Sequence, residues 1–217
     1  VENTVGNFVA FIDDDEIPQP QWLIKHYKRL ENKKWTGSLG PVRPIYPESC
    51  PAWVIRGGFH KRSEPSDKTE LTWEQCRTGN VLIRREVFKN PSYCFDSDYG
   101  SGGEDRDLFK RLIHVGYRFV WNSNAIVSET VPIHRCRRIY QIRRAALRGS
   151  AAITTRKKIF FYLLRSITAV IIYTFMLPVL FLLSEHIFMK YFVSFFDHIG
   201  LIFKACGIRL IRENYIS

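Results

Sequence analysis

No CxxC pair and no Cys/His metal-ligand spacing occurs in this sequence. Its five cysteines (Cys50, Cys76, Cys94, Cys136, Cys206) are odd in number and far apart. This argues against a zinc site or a disulfide scaffold and fits a reducing compartment. Acidic residues are missing from one long window, Pro132 to Arg165, which holds ten Lys or Arg and no Asp or Glu. That window carries nearly the whole formal net charge of +11. From Ser166 to Ser184 charge of either sign is missing for 19 residues, close to the ~20 that a helix needs to cross a bilayer. No signal peptide is visible. The chain opens on Val1 and an apolar strand follows almost at once. An α/β sheet rarely begins with its ligand-binding strand, so a fragment of a longer polypeptide is expected.

The basic window lies directly before the apolar one. A basic block beside a membrane span marks the cytoplasmic flank and is drawn to anionic lipid. Nucleic-acid binding is the competing explanation, and the adjacent apolar segment favours lipid. Ile159 to Leu183 is therefore read as a membrane helix, in which Pro178 is tolerable. Ile187 to Cys206 is also apolar, with Lys190, Ser194, Asp197 and Lys204 on one stripe. Two readings fit it: an interfacial helix with that stripe to water, or a return span with the stripe packed on the first helix. Lys204, Arg209 and Arg212 favour a cytoplasmic C-terminus.

What is present in abundance at the other end is carboxylate. Asn7 to Glu16 runs NFVAFIDDDE, an apolar strand that stops in three aspartates and a glutamate. Adjacent carboxylates repel one another, and a cation relieves that repulsion. Ligands of α/β sheets sit beyond the carboxyl ends of strands. Asp13, Asp14 and Asp15 thus read as an oxygen-ligand site for a hard divalent cation holding a phosphate-bearing substrate. The plainer alternative is an acidic turn before a helix N-terminus. An EF-hand is excluded, because Pro18 stands where its glycine belongs.

The intervening pattern is that of an α/β domain. A helix is expected over Trp22 to Asn32, a strand over Thr36 to Val42, and no regular structure from Tyr46 to Leu71. Val81 to Ile83 reads as a strand, with Glu86 to Phe88 its exit. The small-residue loop Phe95 to Gly103 delivers Glu104-Asp105-Arg106-Asp107 to a helix that Gly116 ends. Tyr117 to Trp121 and Ala125 to Val127 read as short strands ending at Glu129, and Tyr140 to Ala152 as a basic helix. The second acidic cluster has its own plain reading as helix capping. As chemistry, two clusters suggest two tasks: one holds metal and diphosphate, the other removes a proton from an acceptor hydroxyl.

FIDDDE, CRTGNVLIRR, GGEDRDLFKRL and QIRRA, in that order between Asn7 and Gly149, resemble the family 2 inverting glycosyltransferases. The likeness is to the membrane-associated enzymes of bacterial exopolysaccharide synthesis, succinoglycan-type transferases among them. The resemblance implies a partial GT-A (Rossmann-like) domain over residues 1–150, followed by a basic juxtamembrane segment and membrane helices over 151–217. It implies a nucleotide-sugar donor, Mn2+ or Mg2+, a lipid-linked or glycan acceptor, and membrane lipid but no nucleic acid as partners. It implies the cytoplasmic face of a bacterial inner membrane. By the same resemblance Asp13 and Asp15 are metal ligands of a DxD motif, Asp105 is the catalytic base, and Glu104 contacts the acceptor. Asp13, Asp14, Asn80, Gln141 and Arg144 would hold the diphosphate, and Glu129 or His134 would complete the metal shell. Ala145 departs from the Trp that usually ends QxxRW, and the family's nucleotide-gripping N-terminal strands are missing. The alternative is non-catalytic: a basic membrane-tethered interaction module, or an inactive fragment of a glycosyltransferase.

Overall fold

The computed structural model describes residues 5–96, 103–151 and 159–208. Three expectations fall outside them: most of the small-residue loop before Glu104, the end of the basic block before Ile159, and Arg209 with Arg212. The described residues are mixed α/β and divide into two compact units. The first takes the chain up to Ile45 together with Lys61–Thr130; the second takes Tyr46–His60 and the chain from Val131 onward.

The first unit is built on a four-stranded sheet in the order β1-β5-β3-β6. Its strands are β1 (Phe8–Ile12), β3 (Gly37–Leu39), β5 (Asn80–Arg84) and β6 (Phe119–Trp121). β5 runs antiparallel to both neighbours, with Val9 and Gly37 opposite Ile83, while β3 and β6 are parallel. Val81, Ile83 and Phe119 are fully buried because α3 (Glu104–His114) brings Leu108, Phe109 and Leu112 into the same core. Alternation sends Ser38 and Leu82 to the opposite face, where α1 (Trp22–Leu30) lies against β3 and β5 and buries His26 and Leu30.

The expected strand Thr36–Val42 is two strands in two sheets. Pro41 offers no N–H to continue a ladder, and the chain leaves the first sheet at Gly40-Pro41. β4 (Val42–Ile45) joins a second sheet in the order β2-β7-β4, with β2 (Glu16–Pro18) and β7 (Val127–Thr130). Its register sets Glu16 directly opposite Glu129. Gly116 follows the last turn of α3 with φ 97°, and the Tyr117 N–H reaches back to the Leu112 carbonyl.

In the second unit the stretch expected to be irregular contains a short helix, α2 (Ala52–Gly57), whose Trp53 and Val54 are buried. Apolar residues there meet a core that also holds Val131, Ala145, Met189 and Val193. The basic helix α4 (Arg138–Ala151), expected to go with the catalytic domain, packs here against α6 (Glu185–Ala205). Gly149 and Gly200 permit that contact. A Cβ on either would lie 1.8 Å from the Asp197 carbonyl or 2.1 Å from that of Ala146. Arg148 adds a two-pronged pair to Asp197, at 2.8 and 2.6 Å, so the acidic member of the α6 stripe is neutralised by α4 and not left to lipid.

α5 (Ile159–Leu183) is the one described helix long and apolar enough to cross a membrane, with a mean hydropathy of 2.3. A core helix would be covered on most sides. Here only 11% of the apolar window is buried, and Phe160, Phe175, Phe181 and Leu182 face outward. Thr168 and Thr174 return their hydroxyls to carbonyls four residues back, which satisfies them without water.

Candidate functional site

The carboxylates of the first unit converge where β1 ends. The Asp13-Asp14-Asp15 turn closes on itself, since the Glu16 N–H donates to the Asp13 carbonyl at 3.1 Å and the Asp13 N–H donates to Glu16 Oε2 at 3.2 Å. Two side chains of this turn come to one point. A Cβ on Gly79 would lie 2.7 Å from Glu16 Oε1 and 2.9 Å from Asp13 Oδ2. A side chain at position 79 would have to push these carboxylates aside. One residue earlier, Thr78 holds the second acidic cluster: its hydroxyl donates to Asp105 Oδ1 at 2.6 Å and its N–H to Oδ2 at 3.2 Å. Thr78-Gly79 therefore joins the acidic turn to the start of α3.

Charge is in excess at this point. Burial raises the Asp13 pKa, Arg62 opposes that rise, and the negative charges of Asp105, Asp15 and Glu129 add to it. Glu16 is more extreme. Its side chain is wholly enclosed, its Oε1 has no hydrogen-bond partner, and burial with Asp13 and Glu129 nearby lifts it from 4.5 to about 7. Arg62 donates to Glu129 Oε2 at 3.0 Å and stands 3.9 Å from Glu16 Oε1. Arg77, its own pKa lowered by burial and by Arg106, faces Asp105. Arg62, Arg77 and Asn80 also line a recess of about 280 Å³ bounded by Gly40, Pro41 and Trp121.

A carboxyl whose folded pKa lies above its unfolded value contributes stability below about pH 4.5, and that contribution is lost as pH rises through about 7. Keeping Glu16 ionised in the fold at pH 8 thus costs about 3 kcal/mol. Glu16→Gln keeps an oxygen for the Asp13 N–H and removes the charge. We expect it to stabilise the chain by about 2–3 kcal/mol at pH 8 and not at pH 4, measured by urea unfolding at the two values. A destabilised variant at pH 8 would show that the charge is satisfied in some other way.

Several sequence-predicted residues sit elsewhere than in this cluster. Asp14 and Asp15, like Asp13, are exposed on the turn, and Asp15 acts on Asp13 through its charge. Glu104 opens α3 with its Oε2 buried and without a partner. Glu129 is in the first unit and in the cluster. His134 is in the second unit, exposed, with its ring edge-on to Tyr140. Gln141 and Arg144 belong to the second unit as well. Gln141 is buried, and its amide nitrogen serves the Arg135 carbonyl at 2.7 Å and His60 Nε2 at 3.1 Å. Both of its N–H groups are thereby used within the protein. Arg144 is exposed, and its charge together with burial lowers the His60 pKa.

Asn80, assigned by resemblance to the diphosphate, has no free polar atom to offer one. Its Nδ2 donates to the carbonyls of Pro41 at 2.9 Å and Ala125 at 2.8 Å. Its Oδ1 accepts from Trp22 Nε1 at 2.7 Å and His26 Nε2 at 2.9 Å. His26 Nε2 therefore carries the proton, and Nδ1 accepts from the Ser38 hydroxyl at 2.8 Å. Sequence reasoning missed Glu16 as a site residue, and with it Arg62, Thr78 and Gly79. The signal was present for three of them: Glu16 closes the DDDE run, and Thr78-Gly79 sits inside CRTGN.

The chain resembles no family model. It is similar to the succinoglycan biosynthesis protein ExoM of Rhizobium meliloti (strain 1021), at 36% identity over 142 residues, which is 62% of this chain and 43% of that protein. The chain thus spans less than half the length of this curated relative.

Proposed function

We propose that this chain is the acceptor-side and membrane-anchoring part of a glycosyltransferase in cell-surface polysaccharide synthesis. It would move a sugar from a nucleoside-diphosphate donor to a lipid-linked or polysaccharide acceptor, with inversion. The observation that carries the reading is the meeting of Asp13, Glu16 and Asp105 across Thr78-Gly79. Similarity to a succinoglycan biosynthesis protein supports the same class of work, and α5 supports its place at a membrane.

Among the described residues no three His, Cys, Asp or Glu side chains form a ready-made metal cage. Magnesium and manganese bound with nucleotides use one or two carboxylates and take the rest of the shell from water and phosphate. The unpartnered Glu16 Oε1 beside Asp13 Oδ2 suits such an open, oxygen-only site. Asp13 and Glu16 would hold the cation, with Asp15 and Glu129 adding negative charge. Bound there, the cation would offset charge on the diphosphate leaving group. Arg62 and Arg77 line the recess and would meet phosphate oxygens there. Asp105, fixed by Thr78, would accept the proton of the acceptor hydroxyl. Gln141 and Asn80 act here as positioning residues: one fixes the turn before α4, the other the β5 end that presents Thr78 and Gly79.

The test is transfer itself. Washed membranes containing the full polypeptide are given radiolabelled nucleoside-diphosphate sugars and a lipid acceptor extract, with and without EDTA. Label entering the lipid fraction only with free divalent cation supports the reading. Absence of incorporation across the donor panel, with correctly folded protein present, contradicts it and favours the non-catalytic module.

A further inference from the structure

Two cysteines that play no part in the carboxylate site lie against each other in the second unit. Cys50 stands just before α2, and Cys136 ends the turn Ile133–Cys136 that leads into α4. They are 86 positions apart in sequence, yet the Cys50 S–H donates to the Cys136 sulfur at 3.0 Å. Both are buried, at 8% and 1% exposure. The other cysteines are placed differently: Cys76 donates to the Thr72 carbonyl, Cys94 is half-buried and Cys206 is exposed.

We propose that Cys50 and Cys136 are a reversible disulfide site, closed by a small-molecule disulfide and opened by thiols. A disulfide brings its sulfurs to about 2.0 Å, so the pair closes by bringing the sulfurs roughly 1 Å nearer than their 3.0 Å separation. The step balances: each thiol loses its proton, one S–S bond forms, and the S–S bond of oxidised glutathione breaks to give two glutathione thiols. Access is through an open groove of about 580 Å³ lined by Cys136, Ser49, Pro51, Trp53, Ile133 and Arg138. Burial and the neighbouring thiol push Cys136 up to about 12, so exchange is slow at neutral pH, where thiolate is scarce.

The bond would tie the excursion Tyr46–His60 to the turn that precedes α4. That excursion carries His60 and that turn carries the Arg135 carbonyl, the two groups that hold the Gln141 amide. Oxidation would therefore fix the surroundings of Gln141 without touching the carboxylate cluster of the first unit.

The purified full chain in detergent is incubated with oxidised glutathione, alkylated and digested. The expected result is one linked peptide pair joining Cys50 to Cys136, lost on treatment with dithiothreitol, with Cys76, Cys94 and Cys206 not linked to either. The oxidised chain should also unfold roughly 10 °C higher, because the cross-link closes a long loop. Cys136→Ser should lose both the link and the shift, and Cys50→Ala, which buries no hydroxyl, should do the same. Recovery of Cys50 and Cys136 as separate alkylated peptides or separate glutathione adducts would overturn the proposal. So would a midpoint shift that persists in both variants.

Discussion

Asp105→Asn is expected to lower sugar transfer by about 10²- to 10⁴-fold, the range lost when a general base is removed. The change is close to isosteric where it matters. Thr78 approaches both oxygens of Asp105, through its hydroxyl and its N–H. An asparagine keeps one oxygen for the N–H and can donate its amide to the hydroxyl oxygen. Position and fold are retained, and the proton acceptor is gone. Donor hydrolysis and transfer are measured side by side in the membrane assay, with unfolding followed on the same preparation. Transfer within about threefold of the unaltered protein, well under one decade, would remove Asp105 from the base role. It would leave the carboxylate cluster itself in place.

Asn80→Ala is expected to produce a large loss of stability in the first unit. It removes a hydrogen bond from four groups at once: two carbonyls, the half-buried Trp22 indole and the His26 ring. The Pro41 carbonyl keeps the Val127 N–H, so the Ala125 carbonyl and His26 Nε2 are the buried groups left without that partner. Each unsatisfied buried group costs about 1–3 kcal/mol, so a loss of about 2–6 kcal/mol follows from the two. That is a large share of the roughly 5–15 kcal/mol that holds a domain together. Trp22→Phe removes one of the two donors to Asn80 Oδ1 and should cost only about 1 kcal/mol. The network also sets a pH limit. Burial lowers His26 to about 4 from 6.5, with the Asn80 contact opposing it. Its contribution is complete above pH 6.5 and is lost as pH falls through about 4, when the second ring proton displaces the Ser38 hydroxyl. Urea unfolding of the three proteins at pH 7.5 and pH 5 measures both effects. A change below about 1 kcal/mol for Asn80→Ala would mean that the amide is not the hub described.

The elements with a strong local pattern were legible. The Phe8–Ile12 strand, the helix opening at Glu104 with Leu108, Phe109 and Leu112 buried, and the apolar Ile159–Leu183 helix lie where their periodicity puts them. Local pattern fails where tertiary geometry decides. Nothing in Thr36–Val42 announces that the chain changes sheets, because only the absent Pro41 N–H and the pairing with β7 make it do so. α2 is six residues long, too short for a period to register, and is held by Trp53 and Val54 in a core assembled from distant segments. The acidic run was legible as a carboxylate cluster at a strand end, but not that Glu16 is its one buried member. Glu16 is set opposite Glu129 by the register of β2 and β7, and Gly79 comes close to Asp13 and Glu16; both facts belong to tertiary pairing. Asn80 shows the same limit from the other side. Its place inside CRTGN reads as a ligand, while its burial and four hydrogen bonds make it a brace.

Manganese binding to the full chain tests the central claim most directly, because it asks whether these carboxylates act on one cation. Free Mn2+ is followed by electron paramagnetic resonance at pH 7.5, with a nucleoside diphosphate present, for the unaltered chain and for Asp13→Asn, Glu16→Gln and the exposed-turn control Asp14→Asn. The account predicts one saturable site, weakened about tenfold or more, at least 1.4 kcal/mol, by either of the first two changes and little altered by the third. Equal manganese binding in all four proteins would contradict it: the acidic turn would then be a solvated bend, and Gly79 a close contact without a ligand to serve.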